Sequence, residues 1–257
     1  MSASPVRYEL AEGIATITID RPEAKNALNQ AVREGLWAAL RRFVHEDAAL
    51  VAVLGSTGDV FCAGADLKEM AAVGLEVPPP DFLPQLGRNL HTEKPVIAAV
   101  QGPAYAGGFA LAQMCDLCVA SEDARFGITE AKWSRGAPWA APLPWLIPPR
   151  VALELMVTAE PLTAARAHAI GLVNRVVPHD ALLPTVRAWA EDVAANCSPT
   201  SMRIMKRQVY QNLTDSLEHA EKESIRLMIE SFDRPDFREG VTSFLEKRPP
   251  TFERVKI

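Results

Sequence analysis

Three short apolar runs, Leu50 to Leu54, Pro95 to Val100 and Leu117 to Ala120, constrain the fold more than any other feature of the chain. They are too short for helices, and turn residues close the first two at Gly55-Ser56-Thr57-Gly58-Asp59 and Gln101-Gly102-Pro103, so they read as buried strands. Helical stretches lie between them, and this alternation of strand and helix is the pattern of an α/β layer joined by crossovers. Ahead of the first run, Ile14, Thr16/Ile17 and Ile19 follow Glu12-Gly13 and predict a hairpin over residues 8–20. A helix is predicted from about Asn29, an N-cap residue, with Val32, Leu36, Leu40 and Phe43/Val44 on one face.

Beyond Val151 the character changes. A short helix is expected from Thr163 to Ile170, stopped by Gly171; one more apolar run spans Val173 to Val177, and Asp180 to Leu245 reads helical. The expected division is an α/β core over residues 1–190 and a helical part over 191–257, with no internal repeat and no low-complexity segment.

Composition narrows the function classes. The 27 Lys+Arg against 32 Asp+Glu give a net charge of −5 with no basic stripe, so nucleic acid is not an expected partner. No apolar run approaches the roughly 20 residues that span a bilayer, and the N-terminal stretch lacks a basic segment followed by an apolar core. A cytoplasmic protein with no membrane partner is expected. Cys62, Cys115, Cys118 and Cys197 are too few for a disulfide scaffold. The Cys115-x-x-Cys118 pair has no second ligand pair and sits in an apolar run, which favours buried structural thiols over redox or metal work. The five histidines show no ligand spacing, so no metal is expected. The 20 prolines exceed the about 13 of average usage. They cluster at Pro78 to Pro84, Pro138 to Pro149 and Pro249-Pro250, where they mark rigid loops or element boundaries rather than sheet interiors.

Two segments pair glycine with small residues directly after a predicted strand: Phe61-Cys62-Ala63-Gly64-Ala65-Asp66-Leu67 and Gln101-Gly102-Pro103-Ala104-Tyr105-Ala106-Gly107-Gly108. Small residues let backbone approach a ligand, and the first N–H groups of the following helix are unpaired. Two such turns facing each other would form an oxyanion hole. The residues alone fit ordinary strand-to-helix turns as well, since neither matches a phosphate-binding fingerprint.

Taken together, Arg21 to Leu28, Phe61 to Leu67, Lys94 to Gly102, Ala106-Gly107-Gly108, Met114-Cys115-Asp116, Arg125-Phe126-Gly127, Ala164 to Val173 and Phe244 to Arg248 resemble the crotonase superfamily, the enoyl-CoA hydratase/isomerase family, in family order along nearly the whole chain. The resemblance implies a spiral of ββα units, a helical trimerisation region that gives a homotrimer or a dimer of trimers, and an acyl-CoA thioester as substrate with no separate cofactor. It assigns the oxyanion hole to the amides of Ala65 and Gly107. Lys25 and Ala27 fall at positions beside the nucleotide, Ala63, Asp66 and Leu67 near adenine, and Phe244 and Lys247 at positions that contact CoA, in some members from a neighbouring subunit.

Of the family's two carboxylates, the first position is Ala110 here and the second is Glu130. Hydration is best served by two carboxylates sharing the protons of a water, whereas moving a double bond needs one. The expected activity is therefore that of an enoyl-CoA isomerase or hydratase with a single catalytic Glu. The alternatives are a specialised hydratase/dehydratase or a non-catalytic acyl-CoA binder. The usual glycine-rich loop after Glu130 is replaced by residues 133–145, with Trp133, Trp139 and Trp145. Pro138 stands where some branches carry an Asp, which argues against dehalogenase-like and dihydroxynaphthoyl-CoA synthase-like chemistry. The tryptophans fit an acyl pocket for a bulky group and loop packing equally well.

Overall fold

The computed structural model describes residues 4–74 and 77–253. In chain order the elements are β1 (Val6–Ala11), β2 (Ile14–Ile19), α1 (Gln30–His45), β3 (Val51–Ser56), α2 (Leu67–Ala72), β4 (Val96–Val100), β5 (Pro103–Tyr105), α3 (Gly107–Gln113), β6 (Leu117–Ser121), β7 (Arg125–Gly127), α4 (Leu143–Leu146), α5 (Pro149–Thr158), β8 (Leu162–Thr163), α6 (Ala164–Ala169), β9 (Arg175–Val177), α7 (Leu182–Asn196), α8 (Pro199–Asn212), α9 (Leu217–Phe232) and α10 (Pro235–Glu246). β1 and β2 pair antiparallel with Ala11 opposite Ile14. The turn residues Glu12 and Gly13 have φ of 54° and 83°, the mirror-image turn whose twist suits a hairpin.

The large sheet runs β1-β2-β3-β4-β6-β9, parallel from β2 onward. Its inner strands lack alternation because both faces are covered. Ala52, Leu54, Val96, Ala98, Val100, Cys118 and Ala120 join the main core. Val51, Val53, Ile97, Ala99 and Val119 instead meet Leu182, Val186 and Ala190 of α7. The expected division at residue 190 falls inside α7, which packs on this second face.

After each of four large-sheet strands the chain makes a second, shorter extended contact before its helix or turn. Leu28 follows β2, Cys62 and Ala65 follow β3, β5 follows β4, and β7 follows β6. These short pieces pair with one another through Leu28 to Ala65, Cys62 to Ala104, β5 to β7 and β7 to β8. Strand, short strand and helix repeat with each step, which is the ββα spiral. The short strands stack the turns that follow them into one row, and the candidate site lies along it.

Local signals hold where they were read. Asn29 caps α1 by accepting from the Val32 N–H at 3.0 Å, and Val32, Leu36, Leu40 and Phe43 are buried. Thr163 caps α6 through the Arg166 N–H. Among the described residues no strand interior holds proline: Pro103 begins β5, and Pro149, Pro199 and Pro235 begin α5, α8 and α10. Burial pushes the Cys62 and Cys118 thiols up to about 12 and Cys115 well above its usual value, which disfavours the reactive thiolate at all three. No helix among the described residues is long and apolar enough to cross a membrane.

Candidate active site

The two small-residue turns face each other. A Cβ on Gly64 would lie 2.9 Å from the Ala106 Cβ, 3.0 Å from the Tyr105 carbonyl oxygen and 3.4 Å from the Gly107 nitrogen. Gly64 also has φ of 95°, so glycine is required there by both space and backbone. Gly108 is required by space alone, since a Cβ there would fall 2.2 Å from the Cys62 carbonyl oxygen. Between them Ala106 holds φ 49° and ψ −120°, a conformation that normally belongs to glycine in a tight turn. Its N–H donates to the Gly127 carbonyl at 2.9 Å. This strained residue is the N-cap of α3, directly before Gly107. Gly107 is the first residue of α3, where no intrahelical acceptor exists. Ala65 donates no backbone hydrogen bond among the described residues, and both positions are half-exposed.

Glu130 arrives at the same row through β7. Tyr105 pairs with Gly127, so β5 leads into the Gly107 turn while β7 leads, three residues on, to Glu130 at the start of a 3₁₀ turn, Glu130–Trp133. The carboxylate is half-buried. Its Oε1 accepts from the Trp139 indole N–H at 3.0 Å, and its Oε2 is buried with no partner among the described residues. Burial raises the Glu130 pKa above the usual carboxylate range; the Trp139 hydrogen bond and the Arg135 charge oppose that rise. Ala110 lies buried on the first turn of α3 and contributes no carboxylate.

Other expected residues divide into two places. Lys25, Ala27, Ala63, Asp66 and Leu67 form one segment beside the first turn: the Ala63 N–H donates to the Lys25 carbonyl and Leu28 N–H to the Gly64 carbonyl. Buried Asn26 pins this segment, donating to the Thr57 and Val60 carbonyls at 2.8 and 2.7 Å. The Lys25 side chain and Leu67 are exposed. The Asp66 carboxylate caps α2 at the Lys68 and Glu69 amides and pairs with Arg21 at 2.7 Å. The Arg21 guanidinium, ahead of smaller effects, holds its pKa below the usual value. At Asp66 the backbone, not the carboxylate, remains available to a ligand. Phe244 and Lys247 lie on and just after α10, Phe244 81% exposed, and no hydrogen bond or ion pair ties them to this segment among the described residues.

Three contributors were not legible beforehand. Leu83, in the proline-stiffened segment, is buried, and its Cδ1 lies 3.4 Å from where a Gly107 Cβ would be. Its segment is held to α1 by the Trp37 indole N–H, which donates to the Asp81 carbonyl, and by the Arg33 guanidinium over the Phe82 ring. Arg135 reaches from the turn after Glu130 to the Met70 sulfur of α2 at 3.8 Å. Trp139 supplies the hydrogen bond to Glu130, while Trp133 and Trp145 are 62% and 59% exposed.

The family model described as enoyl-CoA hydratase/isomerase matches residues 9–255. Among curated relatives, "Probable enoyl-CoA hydratase" of Mycobacterium leprae is 36% identical over 243 residues, 93% of this chain and 94% of that protein. "(E)-benzylidenesuccinyl-CoA hydratase" of Thauera aromatica is 35% identical over 96% of this chain and 98% of its own. The crystal structure of enoyl-CoA hydratase from Mycobacterium tuberculosis superposes with a TM-score of 0.88 at 36% identity, covering 98% of this chain and 100% of that one.

Proposed function

The chain belongs to the enoyl-CoA hydratase/isomerase family, and from that premise we propose that it binds an enoyl-CoA with the thioester oxygen between the Ala65 and Gly107 amides, and that Glu130 is its only carboxylate proton carrier. The observation that carries this reading is the Oε2 of Glu130, a buried acceptor without a partner among the described residues, on a carboxylate whose other oxygen accepts from Trp139. Two amide donors stabilise the negative charge that develops on the thioester oxygen and so acidify C2. The Glu130 carboxylate takes a proton from C2 of a β,γ-enoyl thioester. The electron pair delocalises through the dienolate, the protonated Glu130 returns the proton at C4, and the double bond ends between C2 and C3. No net proton is gained or lost, so one carboxylate suffices.

The relatives named as hydratases favour a second reading. In it, Glu130 alone activates a water that adds at C3 and then returns the proton at C2. Lys25, Ala27, Ala63 and the backbone at Asp66 and Leu67 would bind CoA, with Phe244 and Lys247 supplied by a neighbouring subunit. A homotrimer or a dimer of trimers accounts for the apolar side chains that α8 to α10 leave exposed, among them Met205, Ile229, Phe232 and Phe244. The deciding experiment assays the purified protein on 3-hexenoyl-CoA and on crotonyl-CoA. Conversion of the first to the 2-enoyl product supports isomerisation, and hydration of the second without isomerisation supports the other reading. Tight thioester binding with neither conversion would overturn both in favour of a binding protein.

A further inference from the structure

We propose that Trp139 is a positioning residue for Glu130: its indole N–H holds one carboxylate oxygen so that the other stays open and fixed toward the reacting carbons. The inference rests on Glu130 as proton carrier and adds what sets that carboxylate in place. A glutamate side chain has several rotatable bonds, and an unanchored carboxylate would sample positions away from the substrate. Here the indole N–H, 3.0 Å from Oε1, is the side-chain hydrogen bond that fixes the carboxylate plane, and Oε2 has no side-chain partner among the described residues. An indole N–H donates and cannot accept, so it orients the base without competing for the transferred proton.

Trp139 is itself clamped on three sides. Pro138 opens the 3₁₀ turn Pro138–Ala140, which fixes the backbone on one flank, and Ala140 is buried on the other. The Gln113 side-chain amide donates to the Trp139 carbonyl at 3.1 Å. The indole meets the Phe109 ring edge-on, with centroids 5.8 Å apart at 76°, and Phe109 in turn meets Phe126 at 5.7 Å. Phe109 is the third residue of α3, whose first residue carries the Gly107 amide, and Phe126 lies in β7, four residues before Glu130. The aromatic row Phe126, Phe109, Trp139 therefore ties the oxyanion turn, the strand that delivers the base and the loop that orients it into one packed unit. The 3₁₀ turn opened by Pro138 supplies the loop side of this clamp.

The test replaces Trp139 with Phe, which keeps an aromatic ring on Phe109 and removes the donor. On 3-hexenoyl-CoA and crotonyl-CoA, kcat of Trp139→Phe should fall about 10- to 100-fold, the range for a lost hydrogen bond to a charged group, with KM little changed. The acid limb of kcat/KM should also move to higher pH, because the lost N–H had favoured the ionised carboxylate against burial. A tryptophan that only packs the loop would leave that limb in place. If Trp139→Phe fails to fold, benzothienylalanine at position 139, which has the indole's shape without its N–H, carries the same expectation. Wild-type kcat with an unmoved acid limb in the folded variant overturns the proposal. Glu130→Gln separates the two levels: a dead Glu130→Gln beside a fully active Trp139→Phe overturns this inference alone, whereas a fully active Glu130→Gln overturns the functional reading beneath it.

Discussion

Two carboxylates withdrawn from water, Glu130 and Asp116, are built in opposite ways. Asp116 uses both oxygens: Oδ2 accepts from the Val96 amide and the Lys206 ammonium, each at 2.7 Å, and Oδ1 accepts from the Tyr210 hydroxyl at 2.8 Å. Its partners come from β4 and α8, so it fastens the helical part to the spiral core. Glu130 uses one oxygen and leaves the other buried and open. A carboxylate with both oxygens engaged has little left to offer a substrate and contributes to stability, whereas one with an unpaired oxygen carries a desolvation cost that a ligand, a water or a proton relieves. The contrast separates a joint from a site without reference to either residue's neighbours in sequence.

The largest expected effect breaks the open side. Glu130→Gln keeps the shape and the Trp139 hydrogen bond but cannot take a proton, so kcat should fall by about 10² to 10⁴ in steady-state assays while the melting temperature holds or rises. On the proposed reading Glu130 must be ionised to take the proton. Because burial raises the Glu130 pKa, kcat/KM should drop, as pH falls, at a value above the ordinary carboxylate range, and a pH profile reads this directly. A limb at the ordinary carboxylate position would mean that substrate meets a well-hydrated group instead.

The next effect breaks the saturated side. Asp116→Ala removes the carboxylate from the Lys206 ammonium, whose side chain is 13% exposed, and leaves it the Lys94 carbonyl as its hydrogen-bond partner among the described residues. A partly buried charge stripped of its partner costs about 3 kcal/mol, to be read from urea unfolding, and the folded fraction should keep its kcat per site. Lys94 sharpens the same joint. Its ammonium donates to the carbonyls of Phe43, Val44 and Glu46 at the end of α1, where a cation is favoured. Lys94→Met should therefore lose about 1 to 3 kcal/mol. Burial, with Arg203 nearby, lowers the Lys94 pKa from 10.5 to about 8. Between those two values the unfolded chain binds more protons than the folded one, so stability should rise with pH across the window. Lys94→Met should flatten that rise.

How much of this was legible depended on the range of each interaction. The Asn29 cap, the hairpin at Glu12-Gly13 and the unalternating apolar runs are local, and the structure has them where the residues place them. The facing of Gly64 and Gly107 is tertiary: the residues alone left it open, and only the resemblance named it. Asp116 reads in sequence only as part of Met114-Cys115-Asp116, because Lys206 and Tyr210 lie 90 and 94 positions away. Trp139 could be placed in either of two roles because an indole in a loop points wherever the backbone turns it, and that direction is set by the 3₁₀ turn at Pro138. The segment from Pro78 to Pro84 read as a stiffened loop, but its burial of Leu83 beside Gly107 depended on anchors at Arg33 and Trp37 that no local pattern announces.

The smallest expected effect asks whether the open carboxylate is limited by its solitude. Ala110 is 5% exposed on the first turn of α3, directly after Phe109. A carboxylate there would stand near the positive end of the helix, which favours an anion, against a burial that disfavours it. In Ala110→Glu a water would gain a second carboxylate to share its protons with Glu130. Hydration of crotonyl-CoA should then rise by up to about tenfold, measured as loss of enoyl absorbance, with isomerisation unimproved because that reaction needs one carboxylate. If hydration does not rise while the variant still binds substrate, the missing carboxylate is not what restrains water addition. The place to look next is then the aromatic packing of Phe109 against Trp139 beside Glu130.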